Sequence, residues 1–183
     1  MTEGLHRKKQ PDVVRRSLLD HAMRLAESEG LSGVTVQAVA TAAGVTKGGL
    51  FHHFPSKQAL VEGMFADVMA RLDEDIDGHI ASDKNSHGRF TRAYVETMLA
   101  GKSFGLGTAW STLAVSMILE PSLRLIWSSW LRNRLDCHRD TDAAPILEIV
   151  RFAADGAWLA HLGLDEKSLH ADALRKQLIA MTA

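Results

Sequence analysis

Gly44 separates two short apolar-periodic segments, each opened by a threonine, and this arrangement limits what the chain can fold into more than any other feature. In the stretch TVQAVATAAGVTKGGLFHHF, Thr35 to Phe54, the residues Val36, Val39, Ala40 and Ala43 recur at the three- and four-residue spacing of one helix face. Thr35 stands at the N-cap position of that segment. Gly44 breaks it where a left-handed residue is needed. Thr46 caps the next segment, in which Leu50, Phe51 and Phe54 form the predicted apolar face, and Pro55 ends it. Two short helices joined by Ala43-Gly44-Val45 make a helix-turn-helix.

The second of these helices is built from poor material. Gly48 and Gly49 each cost roughly 1 kcal/mol against alanine in a helix, and His52 and His53 follow side by side. With the apolar face turned inward, Thr46, Lys47, Gly48, His52 and His53 are expected on or near the open face. A recognition helix places its N-terminal end in the DNA major groove. Gly48 and Gly49 there let the backbone approach bases and phosphates that a side chain would hold off. Thr35 and Thr46 lie at helix N-termini, where free N–H groups attract phosphate. Lys47 can reach a guanine edge or a phosphate, and Lys57, in the first turn of the following helix, is placed for the DNA backbone. A metal pair of His52 and His53 is disfavoured. Adjacent helical side chains point about 100° apart, and no carboxylate or cysteine joins them. No metal or other cofactor is expected.

The charge distribution agrees with a DNA-binding end. Residues 1–57 carry eight Lys/Arg and five Asp/Glu, whereas residues 58–183 carry thirteen and seventeen, so a net charge of −1 hides a basic first part. Arg7, Lys8, Lys9, Arg15 and Arg16 all precede residue 17 and are candidates for salt-dependent phosphate contacts. Helix formers dominate and strand-like alternation is missing, so the expected fold class is all-α. The single cysteine, Cys137, suits a reducing compartment. The polar, basic N-terminus and the absence of an apolar run of about 20 residues predict a soluble, cytoplasmic protein with no membrane partner.

The first helix is predicted from Pro11 to Glu29, with Gly30 as its stop and Val14, Leu18, Ala22, Leu25 and Ala26 inward. Ser56 caps a long fourth helix with the stripe Leu60, Val61, Met64, Phe65, Val68, Met69 and Leu72. Further helices are predicted over residues 88–100, 108–119, 122–138, 142–162 and 168–181. This divides the chain into residues 1–57, a helix-turn-helix domain, and residues 58–183, a larger helical domain.

The segment TVQAVATAAGVTKGGLFHHFPSKQALVEGMF resembles the TetR family of bacterial one-component transcriptional regulators. The resemblance is carried by Thr35, Val39-Ala40, Ala43-Gly44-Val45, Thr46, Leu50-Phe51, His53-Phe54, Lys57 and Leu60. It implies phosphate contacts at Thr35, Thr46, His53 and Lys57, and base reading at Lys47, Gly48 and His52. Phe51 departs from the pattern, since the family usually has tyrosine there and the hydroxyl is lost. The implied protein is a repressor that binds a palindromic operator on double-stranded DNA as a homodimer and responds to a small effector.

An apolar or aromatic effector is expected in the second domain, where Met98, Phe104, Trp110, Met117, Trp127 and Trp130 can line an adaptable pocket. Tyr94, Ser111, Ser116, Arg124 and His161 are candidate polar partners. The last two helices carry the stripes Ile146, Ile149, Val150, Ala153, Ala157, Ala160 and Leu169, Ala173, Leu174, Leu178, Met181, and Gly156 permits close approach. These suit a four-helix dimer interface. An enzyme is disfavoured, because no nucleophile-and-base motif or Gly-rich phosphate loop is present. Cys137 and His138 are adjacent in a helix and cannot face each other. The remaining alternative, opened by Phe51, is a ligand-binding or interaction module that has lost specific DNA binding.

Overall fold

The computed structural model describes the backbone of residues 3–100, 109–163 and 171–183, with side chains over 11–99, 110, 113–160 and 172–183. Within these residues every regular element is helical, and no helix is long and apolar enough to cross a membrane. The chain forms two compact units, Met1–Asp67 and Val68–Ala183.

The first unit begins with α1 (Glu3–Gly33), which runs through Pro11 and breaks at Gly30, where φ is 68°. The helix therefore begins earlier than the predicted Pro11. Arg7 to Gln10 are helix formers, and a proline removes one hydrogen bond without supplying a stop. Gly30 ends the regular helix as expected, because its positive φ is unfavourable for any residue with a Cβ. Leu18, Ala22 and Ala26 are buried, joined by Leu19.

α2 (Val36–Ala42) and α3 (Lys47–His53) follow, with Gly44 at φ 68° between them. Leu50 and Phe54 are 0% and 2% exposed, but Phe51 is 45% exposed. The predicted apolar face was one residue too wide: Leu50 and Phe54 lie one turn apart, and Phe51 is rotated about 100° away.

α4 (Lys57–Ser82) is opened by Ser56, whose hydroxyl accepts the Ala59 N–H at 2.9 Å. Its expected stripe is buried, from Leu60 to Leu72, and extends to Ile76. The division between the two units falls inside α4, after Asp67, ten residues beyond the expected domain boundary at residue 57.

The second unit continues α4 and adds α5 (Arg89–Ala100), α6 (Ala109–Leu119), α7 (Pro121–Cys137), α8 (Arg139–Asp142), α9 (Pro145–Gly163) and α10 (Ala171–Ala180). α5 is the central element, packed against both α9 and α10. Phe90, Tyr94 and Val95 on α5 meet Leu147, Val150 and Ala154 on α9 in its core.

The predicted helix over 142–162 begins three residues later, as α9 at Pro145, and Asp142 belongs to the one-turn helix before it. Asp142 ends α8, and its buried carboxylate caps the start of α5. Its Oδ1 accepts the Thr91 N–H at 2.8 Å and the Thr91 hydroxyl at 2.7 Å, and Oδ2 accepts the Phe90 N–H at 3.3 Å and the Thr141 hydroxyl at 2.8 Å. Buried Arg151 donates to the Thr91 hydroxyl at 2.6 Å and to the Asp142 carbonyl at 3.5 Å. Pro145 then restarts the chain as α9, in the first-turn position that proline favours.

Removing the carboxylate leaves the buried Phe90 and Thr91 donors without their acceptor and the Arg151 guanidinium without a nearby counter-charge. Asp142→Ala is expected to lower unfolding stability by about 3 kcal/mol, measured by urea denaturation. A loss below about 1 kcal/mol would contradict this role for Asp142.

Candidate DNA interface and effector cavity

The exposed side of the helix-turn-helix is built on its two N-caps. The Thr35 hydroxyl accepts the Ala38 N–H at 3.1 Å, and the Thr46 hydroxyl accepts the Gly49 N–H at 3.0 Å. Both caps leave the threonines exposed, together with Lys47, Gly48, Phe51 and His52. Phe51 lies one turn after Lys47 on the same side of α3. Gly49 and His53 are half-buried, and the His52 and His53 rings meet edge-on at 5.5 Å.

The glycines can be tested against the packing. A Cβ on Gly48 would lie 3.9 Å from the Thr46 hydroxyl, and one on Gly49 would lie 3.4 Å from that hydroxyl and 3.7 Å from the Val45 Cβ. These are ordinary contacts, so nothing within the protein requires glycine at either position. Gly63 on α4 is different. A Cβ there would come within 2.7 Å of the Phe54 ring, so α4 presents a bare surface against which Phe54 closes the end of α3.

Several cations read from the sequence as available to DNA are already engaged. Lys57 Nζ donates to the Leu31 carbonyl at 3.3 Å. Arg15 stacks over the Phe54 ring at 4.3 Å and donates to the His53 carbonyl at 3.4 Å. Arg16 pairs with Asp67 on α4 and with Asp20, the latter at 2.8 Å. Arg7, Lys8 and Lys9 have side chains outside the described residues.

In the second unit a cavity of about 170 Å³ is lined by Met98, Trp110, Ala114, Met117, Ile118, Trp127, Asp155, Trp158 and Leu159. Four of the six expected pocket residues meet here: Met98, Trp110, Met117 and Trp127. Trp130 does not line the cavity. It packs against Trp127, ring centroids 5.0 Å apart, and its Nε1 donates to Asp73 on α4 at 2.7 Å. Phe104 lies outside the described residues, as do the side chains of Ser111 and His161. Arg124 Nη1 donates to the Ile118 carbonyl at 2.7 Å, and Tyr94 is drawn to Asp155.

Asp155 and Trp158 were missed because α9 read as an interface stripe. That stripe is in fact divided. Val150 and Ala157 are buried inside the protomer, whereas Ile149 and Phe152, at 57% and 65% exposed, form an outer row with Gly156 and Leu159. On α10, Leu178 is buried and Met181 is 40% exposed; Leu169 lies outside the described residues.

A capped helix-turn-helix with an open recognition helix, carried on the same chain as a helical unit with an aromatic cavity, defines a helix-turn-helix regulatory protein. Residues 18–64 match the model for "Bacterial regulatory proteins, tetR family", and residues 88–183 match "Tetracyclin repressor-like, C-terminal domain". The chain belongs to the TetR family.

It is 33% identical over 84 residues to the HTH-type transcriptional repressor KstR2 of Rhodococcus jostii (strain RHA1), a match covering 44% of this chain and 41% of that relative. The crystal structure of the multidrug binding protein EbrR with malachite green is similar, with a TM-score of 0.72 at 20% identity, over 92% of this chain and 98% of that one. So is the structure of AibR with isovaleryl coenzyme A and operator DNA, with a TM-score of 0.60 at 18% identity, over 92% of this chain and 97% of that one.

The Asp155 carboxyl is pushed up from 3.8 to about 6, chiefly by burial, with the Tyr94 hydroxyl bond and Arg151 pulling it back. Above about pH 6 the folded state thus holds a charge that its surroundings disfavour. This penalty fades as the pH falls through 6 toward 3.8. Asp155→Asn is expected to raise the thermal midpoint near pH 7.5, with most of the gain gone by about pH 4. An equal gain at both values would contradict the assignment.

Proposed function

We propose that this chain is a ligand-responsive transcriptional repressor that binds a palindromic operator as a homodimer and is released by a small effector held in the cavity of the second unit. The observation that carries this reading is the Gly48-Gly49 pair. It weakens an already short helix, the packing of the protein does not require it, and it lies on the side of α3 where Thr46 and Lys47 are open to a partner. Close approach of a DNA backbone and base edges supplies the missing reason. Thr35, Thr46 and His53 then contact phosphate, and Lys47, Gly48 and His52 lie along the groove. Lys57 reaches phosphate by exchanging its bond to Leu31, and Gly49 keeps the helix N-terminus open.

The outer row of α9, Ile149, Phe152, Gly156 and Leu159, with Met181 of α10, supports a two-fold interface. A dimer is what a helix-turn-helix needs to read two half-sites about 34–36 Å, or a multiple, apart. The signal begins at Trp127 in the cavity wall. It passes by ring contact to Trp130 and by hydrogen bond to Asp73, on the helix whose first turns pack under α3. Arg134 reinforces the route through ion pairs with Asp73 at 3.2 Å and with Asp77. An effector that prefers the released geometry by a few kcal/mol is sufficient. The match to a relative named as a repressor supports the direction of control.

Selection of bound sequences from random DNA by the purified protein at two salt concentrations tests the reading. The expected product is a palindrome whose affinity falls steeply with salt. Phe152→Glu is expected to give a monomer in sedimentation and to lower affinity for that palindrome by at least about tenfold. Weak, sequence-blind binding would instead favour the module that has lost operator reading, the alternative that Phe51 leaves open.

A further inference from the structure

Among the described residues that line the cavity of the second unit, Asp155 is the one with an ionisable side chain. Trp110 lies between Trp127 and Trp158, with ring centroids 5.9 Å and 6.1 Å apart, so indoles from α6, α7 and α9 make a continuous aromatic wall. Met98 and Met117 complete it with adaptable side chains. Asp155 lies in the same lining, one turn before Trp158. Its Oδ1 accepts the hydroxyl of buried Tyr94 at 2.5 Å, and its Oδ2 has no hydrogen-bond or ion-pair partner among the described residues.

The nearest candidate counter-charge is committed elsewhere. Arg151, one turn earlier on α9, donates to Thr91 and to the Asp142 carbonyl in the buried cluster. A carboxylate half-buried among apolar side chains, with one oxygen free of protein donors, costs free energy in the empty protein. Indole faces carry negative quadrupole density and attract cations, most strongly where water is excluded.

We propose that this cavity takes a lipophilic cation, with an aromatic or aliphatic body against the three indoles and its positive charge against Asp155. This rests on the reading of the cavity as the effector site, and it replaces an effector that is merely apolar or aromatic with one defined by charge. An anionic ligand would meet Asp155 directly, and a neutral ligand without a hydrogen-bond donor would leave it unpaired.

The test uses the full chain and two probes of nearly the same shape, trimethylphenylammonium and neutral tert-butylbenzene, followed by tryptophan fluorescence near pH 7.5. The expected result is tighter binding of the cation by at least about tenfold, with the preference sharply reduced by Asp155→Asn. A second readout needs no substitution. Among the described residues the groups facing Asp155 are Tyr94 from α5 and Arg151 on α9, and the described lining residues from α6 and α7 are not titratable. Neither neighbour titrates between about pH 7.5 and 5, so the preference should weaken across that range as Asp155 takes up a proton.

Equal binding of the two probes, or an undiminished preference in Asp155→Asn with no pH dependence, overturns the cation proposal and leaves the cavity as an effector site. No binding of either probe overturns both. Selective cation binding that leaves affinity for the selected operator unchanged supports the cation site and overturns its role as the effector site.

Discussion

Burial of Leu50 and Phe54 holds the second helix of the helix-turn-helix in place. α3 has seven residues, two of them glycine, and a helix that short is not stable alone in water. It exists because Leu50 is fully enclosed and because Phe54 closes against α4 where Gly63 leaves room. Arg15 stacked on the other side of Phe54 adds a further hold. With these two side chains fixed, the rotation of α3 is fixed, and Thr46, Lys47, Gly48 and His52 have only the open side left to them. The fold stabilises the ends and the inner face of this helix, and leaves the outer face weak in helix propensity and without a side chain at Gly48.

The second unit contrasts two aspartates of opposite character. Asp142 receives backbone and hydroxyl donors from α5 and α8, and a guanidinium is held beside it, so its burial organises the unit. Asp155 receives one hydroxyl bond, with Arg151 acting on it only through its charge, and lines a wall of tryptophans and methionines, so its burial leaves a standing cost. A complete polar network is a structural element, whereas an incomplete one in a cavity wall is a site waiting for a partner. Trp127 and Trp130 give that site a physical connection to α4, whose first residues pack beneath the recognition helix.

What could be read from the sequence follows the range of the forces involved. Caps, the Gly44 turn, the Gly30 break and the stripe of α4 depend on residues within a turn or two of each other, and they stand where the periodicity put them. Phe51 did not, because two adjacent residues cannot both face one core and the sequence does not say which yields. The break between α8 and α9 was hidden because Asp142 is drawn to the start of α5, a partner about fifty positions earlier. Asp155 and Trp158 were hidden for a related reason. One helix serves the core, the cavity and an outer apolar row, and periodicity alone merged these into a single stripe. Of the three tryptophans named from the sequence, Trp110 and Trp127 meet at the cavity, whereas Trp130 went to Asp73 and Trp158 stands in the wall instead.

If α3 is kept poor so that DNA can approach, Gly48→Ala isolates the effect. Alanine fits the folded protein and raises helix propensity by about 1 kcal/mol, so the unfolding midpoint should stay the same or rise. Affinity for the selected operator should fall at least about tenfold, as a methyl group holds the groove away. Operator affinity within about twofold of the unsubstituted protein, with stability unchanged or raised, would mean that the glycine serves no DNA contact and that α3 is not the element that reads the groove.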